Sequence, residues 1–338
     1  MTRFRLLPRW EAPLPTEVGE TVEAFLAKLS KPTVLWFPGK DRTRTRAVTT
    51  LLHGNESSGV RALHRWIREA HIPEVNLLCF VGAVQAALTE PYFSNRCVPG
   101  WRDLNRCFLA PFLGPDAAVA EGWLGELRTA KPEALIDIHN TSGRSPAYGV
   151  ATVGGSQQES LTGLFSDHLI VTDLRLGALM EATEKEWPTV TIECGGANNH
   201  LSHEVAYQGL MRYASAQALD RLARGITVAH HPLRVEIRPG LTIAYGTEAV
   251  AGADLTLPVE VDLYNFGVMS SDDHLGWVGD RGLEILFTKD ALGRDRSAEI
   301  FSVHDGDLRL VNPSRIMMAT TSPEIAQSDC LFYVLPVE

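Results

Sequence analysis

The chain has 338 residues, of which 45% are hydrophobic and 21% charged. That is an ordinary globular composition on a length where one core usually divides into two. The formal charge of -10 argues against nucleic acid and anionic membranes as partners, because phosphate-rich surfaces attract basic proteins. Five cysteines, Cys79, Cys97, Cys107, Cys194 and Cys330, form no CxxC pair and read as free thiols rather than a disulfide framework. The opening MTRFRLLPRWEAPLP has no apolar signal core, and no apolar run approaches the ~18 residues of a spanning helix, so a cytoplasmic location is expected.

In chain order, Thr16–Lys28 has helical apolar spacing (Val18, Val22, Phe25, Leu26), with Thr16 as the expected N-cap. Val34–Phe37 and Arg46–Leu52 read as strands, and Ser58–Ala70 as a helix with Val60, Leu63 and Ile67 on one face. Val75–Val81 is strand-like, Asp116–Ala130 helical, and Ala134–Ile138, His168–Val171 and Thr189–Cys194 are three more strands. His203–Arg224 reads as a long helix ended by Gly225. Continuous apolar strands interleaved with helices predict an α/β fold, a mostly parallel mixed sheet with helices on both faces. Beyond residue 228 the texture changes to short runs punctuated by Gly and Pro: Leu233–Ile237, Leu241–Tyr245, Leu255–Val261, Glu284–Phe287, Leu308–Val311 and Leu331–Val334. The expected division is 1–228, an α/β catalytic domain, and 229–338, a smaller β-rich domain that shapes the mouth of the active site.

Three segments share one form, an apolar strand followed by polar, chemistry-bearing residues. RAVTTLLHGNE sets His53 and Glu56 past a strand end, where ligands bind in open α/β sheets. ALIDIHN supplies His139. Two histidines and a glutamate make the donor set of a catalytic zinc that keeps a position for water. TVTIECGG supplies Glu193, a carboxylate that is costly at the end of a buried strand without a task. It suits a general base that takes a proton from an activated water and returns it to a leaving amine. DLNRCF adds Asp103, Asn105 and Arg106, and a planar guanidinium matches a substrate carboxylate.

HGNE, DLNR, DIHNTSG and TIECGG, in that order, resemble the succinylglutamate desuccinylase/aspartoacylase family, a deacylase branch of the zinc carboxypeptidase fold. The resemblance covers roughly residues 45 to 200 in motifs. It implies one Zn2+ per chain held by His53, Glu56 and His139, with Glu193 as general base. Asn105 and Arg106 would hold a substrate carboxylate. An arginine before DLNR would polarise the scissile carbonyl. Arg96 is the choice, with Arg102 as competitor because the spacer RCVPGWRDLNR is lengthened. The implied activity is hydrolysis of a small N-acyl amino acid or N-acyl amine, a small-molecule acyl-amide, with homo-oligomerisation left open. The stretch EATEKEWP before the Glu193 strand carries no arginine where such enzymes often hold a second substrate carboxylate, and Arg175 lies further off. Its acidic residues point to an amine-bearing acyl-amide instead.

Alternatives are a carboxypeptidase acting on peptides and a metal- or ligand-binding protein without catalysis. His200, His203 and Glu204 (HLSHE) could be read as a second metal cluster, but Ser202 capping a helix, with Glu204 near its positive end, is the plainer reading. Asp137 or Asn140 would orient a ligand. Ser57 and Ser58 lack a nucleophile elbow, and Cys194 reads as packing.

Overall fold

The computed structural model describes residues 7–173, 175–220 and 225–337. The chain divides into two compact units, one holding residues up to Asn140 and Ala147–Val228, the other Thr141–Pro146 and the chain from Ala229.

The first unit runs β1 (Arg9–Glu11), α1 (Val22–Leu29), β2 (Thr33–Phe37), β3 (Asp41–Thr50), α2 (Ser58–Arg68), β4 (Val75–Val81), α3 (Val84–Ala87) and α4 (Pro115–Ala130). It continues through β5 (Leu135–Thr141), β6 (Tyr148–Ala151), α5 (Ser156–Thr162), β7 (His168–Val171), α6 (Leu179–Thr183), β8 (Thr189–Gly196), α7 (His200–Ser215) and β9 (Thr227–His230). The strands form one nine-stranded sheet in the order β1-β2-β4-β3-β5-β8-β6-β7-β9. Its centre is parallel, β4 and β5 both running with β3, while β2 opposes β4 and β6 opposes β8.

The alternation of side chains explains why these strands read as unbroken apolar runs. Leu35, Leu77, Cys79, Ile136 and Ile192 pack with α1, α2, α5 and α7, while Val34, Leu78, Phe80, Ala47 and Leu135 pack with α4. Both faces are buried, so both parities of position are mostly apolar, and the polar residues among them need partners. On the α4 side Trp123 stacks on Phe80 at 5.0 Å, and its indole N–H donates to Thr49 Oγ1 at 2.9 Å.

Boundaries move for physical reasons. The first helix begins at Val22 with Thr21, not Thr16, as N-cap. β3 begins at Asp41, because Asp41 pairs with Val75 of β4 and, past an irregularity, Thr45 rejoins the ladder at Asn76. Helix α7 starts at His200, capped by Asn199 Oδ1 accepting from Leu201 N–H, so Ser202 is a buried helical residue rather than the cap. That helix ends at Ser215, and the end placed at Arg224 lies outside the described residues.

The second unit contains β10 (Leu233–Ile237), β11 (Ile243–Gly246), β12 (Leu255–Pro258), β13 (Val268–Met269), β14 (Gly276–Val278), β15 (Leu286–Lys289), α8 (Ser297–Ile300), β16 (Phe301–His304), β17 (Asp307–Leu310), β18 (Ser314–Met317), α9 (Pro323–Ser328) and β19 (Phe332–Pro336). They make two five-stranded sheets, β13-β18-β19-β10-β15 and β11-β12-β14-β17-β16, antiparallel except where β11 runs with β12. Val235, Leu255, Leu257, Ile285, Ile316 and Phe332 lie in their shared core.

One glycine fixes how α2 meets the sheet. A Cβ on Gly59 would stand 2.1 Å from Thr50 Oγ1 and 2.9 Å from Ile138 Cβ, so the first turn of α2 lies directly on β3 and β5. Gly59→Ala is expected to lower unfolding stability by about 1–3 kcal/mol through overpacking. Denaturant unfolding of the variant checks it, and a midpoint equal to wild type would refute this packing.

Candidate active site

β3 ends at Thr50, and Leu51 takes a left-handed φ of 57°, which swings the chain out of the sheet before His53. Glu56 follows just ahead of α2. The loop is held close to a second segment, since Gly54 N–H donates to Arg96 O at 2.8 Å. A Cβ on Gly54 would lie 2.6 Å from Asn95 O and 2.6 Å from Ala86 Cβ, so only glycine permits that approach. His139 and Glu193 stand inside β5 and β8 rather than after them.

These four residues converge. The ligand atoms of His53, Glu56 and His139 all lie within 4.8 Å of one another, and the three side chains are buried. His53 Nδ1 is 2.7 Å from Glu56 Oε1, and His139 Nδ1 is 2.7 Å from Glu56 Oε2. The far nitrogens are also held: His53 Nε2 lies 3.0 Å from Asp103 Oδ1 and His139 Nε2 2.9 Å from Asp137 Oδ2. A carboxylate on Nε2 fixes the ring and leaves Nδ1 for the centre, the pairing that orients metal-binding histidines. Two imidazoles and a carboxylate facing one point form a donor set that can hold a divalent cation.

The charges agree with this geometry. Burial pushes the Glu56 carboxyl up, but His53 and His139 outweigh it and hold it below the usual carboxylate range. Burial likewise opposes ionisation of Asp103, yet His53, Arg96 and Arg106 keep it low. Burial would depress His139, but Asp137 and Glu56 raise its pKa well above the ordinary imidazole value. Glu193 differs: burial, then the negative charge of Glu56, push it up to about 7. Its Oε2 is buried without a hydrogen-bond partner.

Arg96 and Arg102 part company. Arg96 Nε and Nη2 fork onto Asp103 Oδ2 at 3.0 and 2.9 Å, and its Nη1 is 3.6 Å from Glu56 Oε1. Arg102 instead donates from Nη2 to Arg106 O at 3.2 Å, and its backbone N–H donates to Asp116. Arg96 is therefore the arginine at the centre. Asp103 ties it there, because the same carboxylate receives Arg96 and His53. Arg106 sits in the short 3-10 turn Leu104–Arg106, with Nη1 4.0 Å from Asp103 Oδ2. Asn105 is buried and its Oδ1 accepts Leu179 N–H at 3.1 Å, which fixes the direction of its Nδ2.

The acidic stretch before β8 has other work. Glu181 accepts the N–H groups of Leu176, Gly177 and Ala178, Glu184 pairs with Arg175 at 3.2 Å, and Glu186 pairs with Arg128 at 2.9 Å. These carboxylates are spent on the fold, so they do not carry the expected preference for an amine. His203 and Glu204 also separate, His203 toward Ser58 and Glu204 toward Arg65, which removes the HLSHE metal reading. Cys194 is buried and its thiol is pushed well above its ordinary pKa by burial and Glu193, which suits packing. No described helix is long and apolar enough to cross a membrane.

Residues 42–209, which hold all of these groups, match the model of the succinylglutamate desuccinylase/aspartoacylase catalytic domain. The chain belongs to the succinylglutamate desuccinylase/aspartoacylase family. That family is one of hydrolytic deacylases. The fold is similar to solved members. A succinylglutamate desuccinylase from Vibrio parahaemolyticus is 13% identical with a TM-score of 0.60, the match covering 89% of this chain and 85% of that one. The product-bound ectoine utilization protein EutE (DoeB) from Ruegeria pomeroyi is 15% identical at a TM-score of 0.57, covering 90% and 88%. An aspartoacylase family protein from Mesorhizobium loti is 13% identical at 0.52, covering 90% and 89%. At these identities the likeness establishes the family fold. No curated protein matches the sequence.

Proposed function

We propose that this family member is a zinc-dependent deacylase that hydrolyses the amide of a small N-acyl amino acid or related N-acyl amine, a carbon–nitrogen bond outside peptides. The observation that carries the reading is the convergence of His53 Nδ1 and His139 Nδ1 on the two oxygens of Glu56, beside the raised, unpartnered carboxyl of Glu193.

His53, Glu56 and His139 would hold the cation, which when bound supplies Lewis acidity and lowers the pKa of a ligated water toward neutrality. Glu193 takes the proton of the attacking water and passes it to the departing amine. Its pKa, about 7 without a cation, lies lower with one held, so at neutral pH it is ionised and ready to take that proton. Arg96, steadied by Asp103, stabilises negative charge developing on the scissile carbonyl oxygen. Arg106 and Asn105 grip the substrate carboxylate and so hold the amide in line for attack.

Elemental analysis of purified wild type and His53→Ala tests the reading, together with a hydrolysis screen over N-acyl amino acids, N-acyl diamines and short peptides. About one equivalent of zinc, absent from the variant, with amine release from N-acyl amino acids or N-acyl amines, is expected. Cleavage of peptides alone would replace the deacylase with a peptidase, and a metal-free, zinc-unresponsive protein would sink the mechanism.

A further inference from the structure

Asn140 follows His139 in β5, and its amide bonds in one direction only. Oδ1 accepts Ser58 N–H at 3.0 Å, while Nδ2 donates to Ser58 Oγ at 2.8 Å and to Gly195 O at 2.9 Å. A backbone N–H can only donate and a carbonyl can only accept, so the amide cannot be turned round. The Asn140 backbone N–H also donates to Glu56 Oε2 at 3.2 Å. One buried side chain thus joins the end of β5, the first turn of α2 and the end of β8. Glu56 lies two residues before Ser58, and Glu193 two before Gly195. Ser57, at the N-cap of α2, makes no side-chain capping bond, so Asn140 serves that helix end from another strand.

The network has an outer member. Ser58 Oγ lies 2.7 Å from His203 Nδ1, on α7. Ser58 Oγ takes Asn140 Nδ2 on one lone pair and has its proton to give, and a neutral His203 with a lone pair on Nδ1 would receive it. Burial, Arg61 and His200 lower the His203 pKa, which favours that form. A Ser–His pair at this distance invites a nucleophilic reading, but Ser58 is 0% exposed and no substrate reaches it.

We propose that Asn140, Ser58 and His203 form a staple that sets Glu193 at its working distance from Glu56, with Ser58 and His203 as positioning residues. The proposal rests on Glu193 being the base. Its effect falls on turnover rather than on metal or substrate binding, because neither residue lies among the three donors or the carboxylate-gripping pair. Loss of the Ser58 hydroxyl frees Asn140 Nδ2 on one side and lets the ends of β8 and α2 shift against each other. His203→Asn keeps an acceptor where Nδ1 stood, since Asn Oδ1 occupies nearly the same place on the side chain, whereas His203→Ala does not.

The experiment compares zinc-loaded wild type, Ser58→Ala, His203→Ala and His203→Asn for zinc content, kcat, KM and the imidazole nitrogen NMR signals of His203. Expected are unchanged zinc and KM, and kcat lower by about 10- to 100-fold in both alanine variants, as misplacement of a catalytic group produces. The asparagine variant should recover most of that loss. The His203 Nδ1 signal should be that of an unprotonated, hydrogen-bonded nitrogen in wild type, and should shift in Ser58→Ala. Wild-type kcat in Ser58→Ala, no advantage of asparagine over alanine at 203, or an unshifted Nδ1 signal would each overturn the staple. A wild type inactive on every N-acyl amide refutes the deacylase reading instead, and the staple then stands or falls on the Nδ1 signal.

Discussion

Glu193→Gln is expected to abolish turnover while leaving the metal in place. Glutamine keeps the size of the side chain and both heavy-atom positions but cannot accept a proton at neutral pH. Removing a positioned general base costs about 10²–10⁴-fold in rate. His53, Glu56 and His139 do not use Glu193 as a hydrogen-bond partner, so zinc content should be unchanged. The pH profile carries the sign. The base must be ionised, so kcat/KM falls as pH falls through its pKa. Burial and Glu56 raise that value to about 7 from 4.5, and a bound cation draws it back toward 4.5. The acid limb of the wild-type profile should therefore lie between those two values, and any residual activity of the variant should lack it. A glutamine variant with more than a tenth of wild-type kcat would assign the base elsewhere.

The same carboxyl shows what stability is given up for function. Folded Glu193 holds its proton more tightly than an unfolded glutamate, so its contribution is favourable below pH 4.5 and is lost as pH rises through about 7. Metal-free Glu193→Gln should accordingly match wild type at pH 4 and exceed it at pH 8 by about 1–3 kcal/mol. Denaturant melts of the stripped proteins at the two pH values decide this.

The parts of the fold legible in the sequence are those where one physical cause dominates. VNLLCFV reads as a strand over Val75–Val81 because both faces are buried and every position but Asn76 is apolar. The helix over Pro115–Ala130 shows because proline opens it and an apolar face covers the sheet. Reading failed where backbone pairing acts without side-chain pattern. The polar start of β3 is strand because Asp41, Thr45 and Arg46 pair with β4, and β5 and β8 run through His139 and Glu193 because a ladder is indifferent to side chains pointing into a site. β6 is four residues long and contains Gly149, tolerated where a Cβ would lie 2.4 Å from Thr162 Oγ1.

The site divides in the same way. His53, Glu56, His139 and Glu193 announced themselves as polar groups at the ends of apolar runs, where burial demands a task. Asp103 and Ser58 gave no such signal, because what matters is the partner: Asp103 joins His53 to Arg96, and Ser58 joins Asn140 to His203. Contacts between segments so far apart in the chain are set by topology, which spacing does not record. HLSHE offers a metal cluster that the fold takes apart, for the converse reason. His203 and Glu204 are neighbours in sequence, but successive helical residues point about 100° apart, so they face different partners.

Asp137→Asn is expected to weaken zinc binding by about 10–100-fold, the usual cost of losing the carboxylate behind a metal-binding histidine. Asp137 is fully buried and its Oδ2 holds His139 Nε2 at 2.9 Å. Its charge does two opposing things. With Glu56 it raises the His139 pKa, so in the metal-free protein that imidazole carries two protons, and binding through Nδ1 must expel one. Affinity in wild type should therefore rise by up to about tenfold per pH unit below that pKa. Once the proton has gone, the same carboxylate anchors Nε2–H and makes Nδ1 a better donor. Asparagine keeps an acceptor for the ring but removes the charge. Affinity should fall most at high pH, where only the donor effect counts, and less at low pH, where proton competition is also relieved. Competitive chelator titrations at a low and a high pH, on either side of the His139 titration observed in the wild type, separate the two effects. Equal losses at both pH values would mean that the Asp137 charge strengthens Nδ1 as a donor without governing proton competition there. No loss at either would place His139 outside the metal centre.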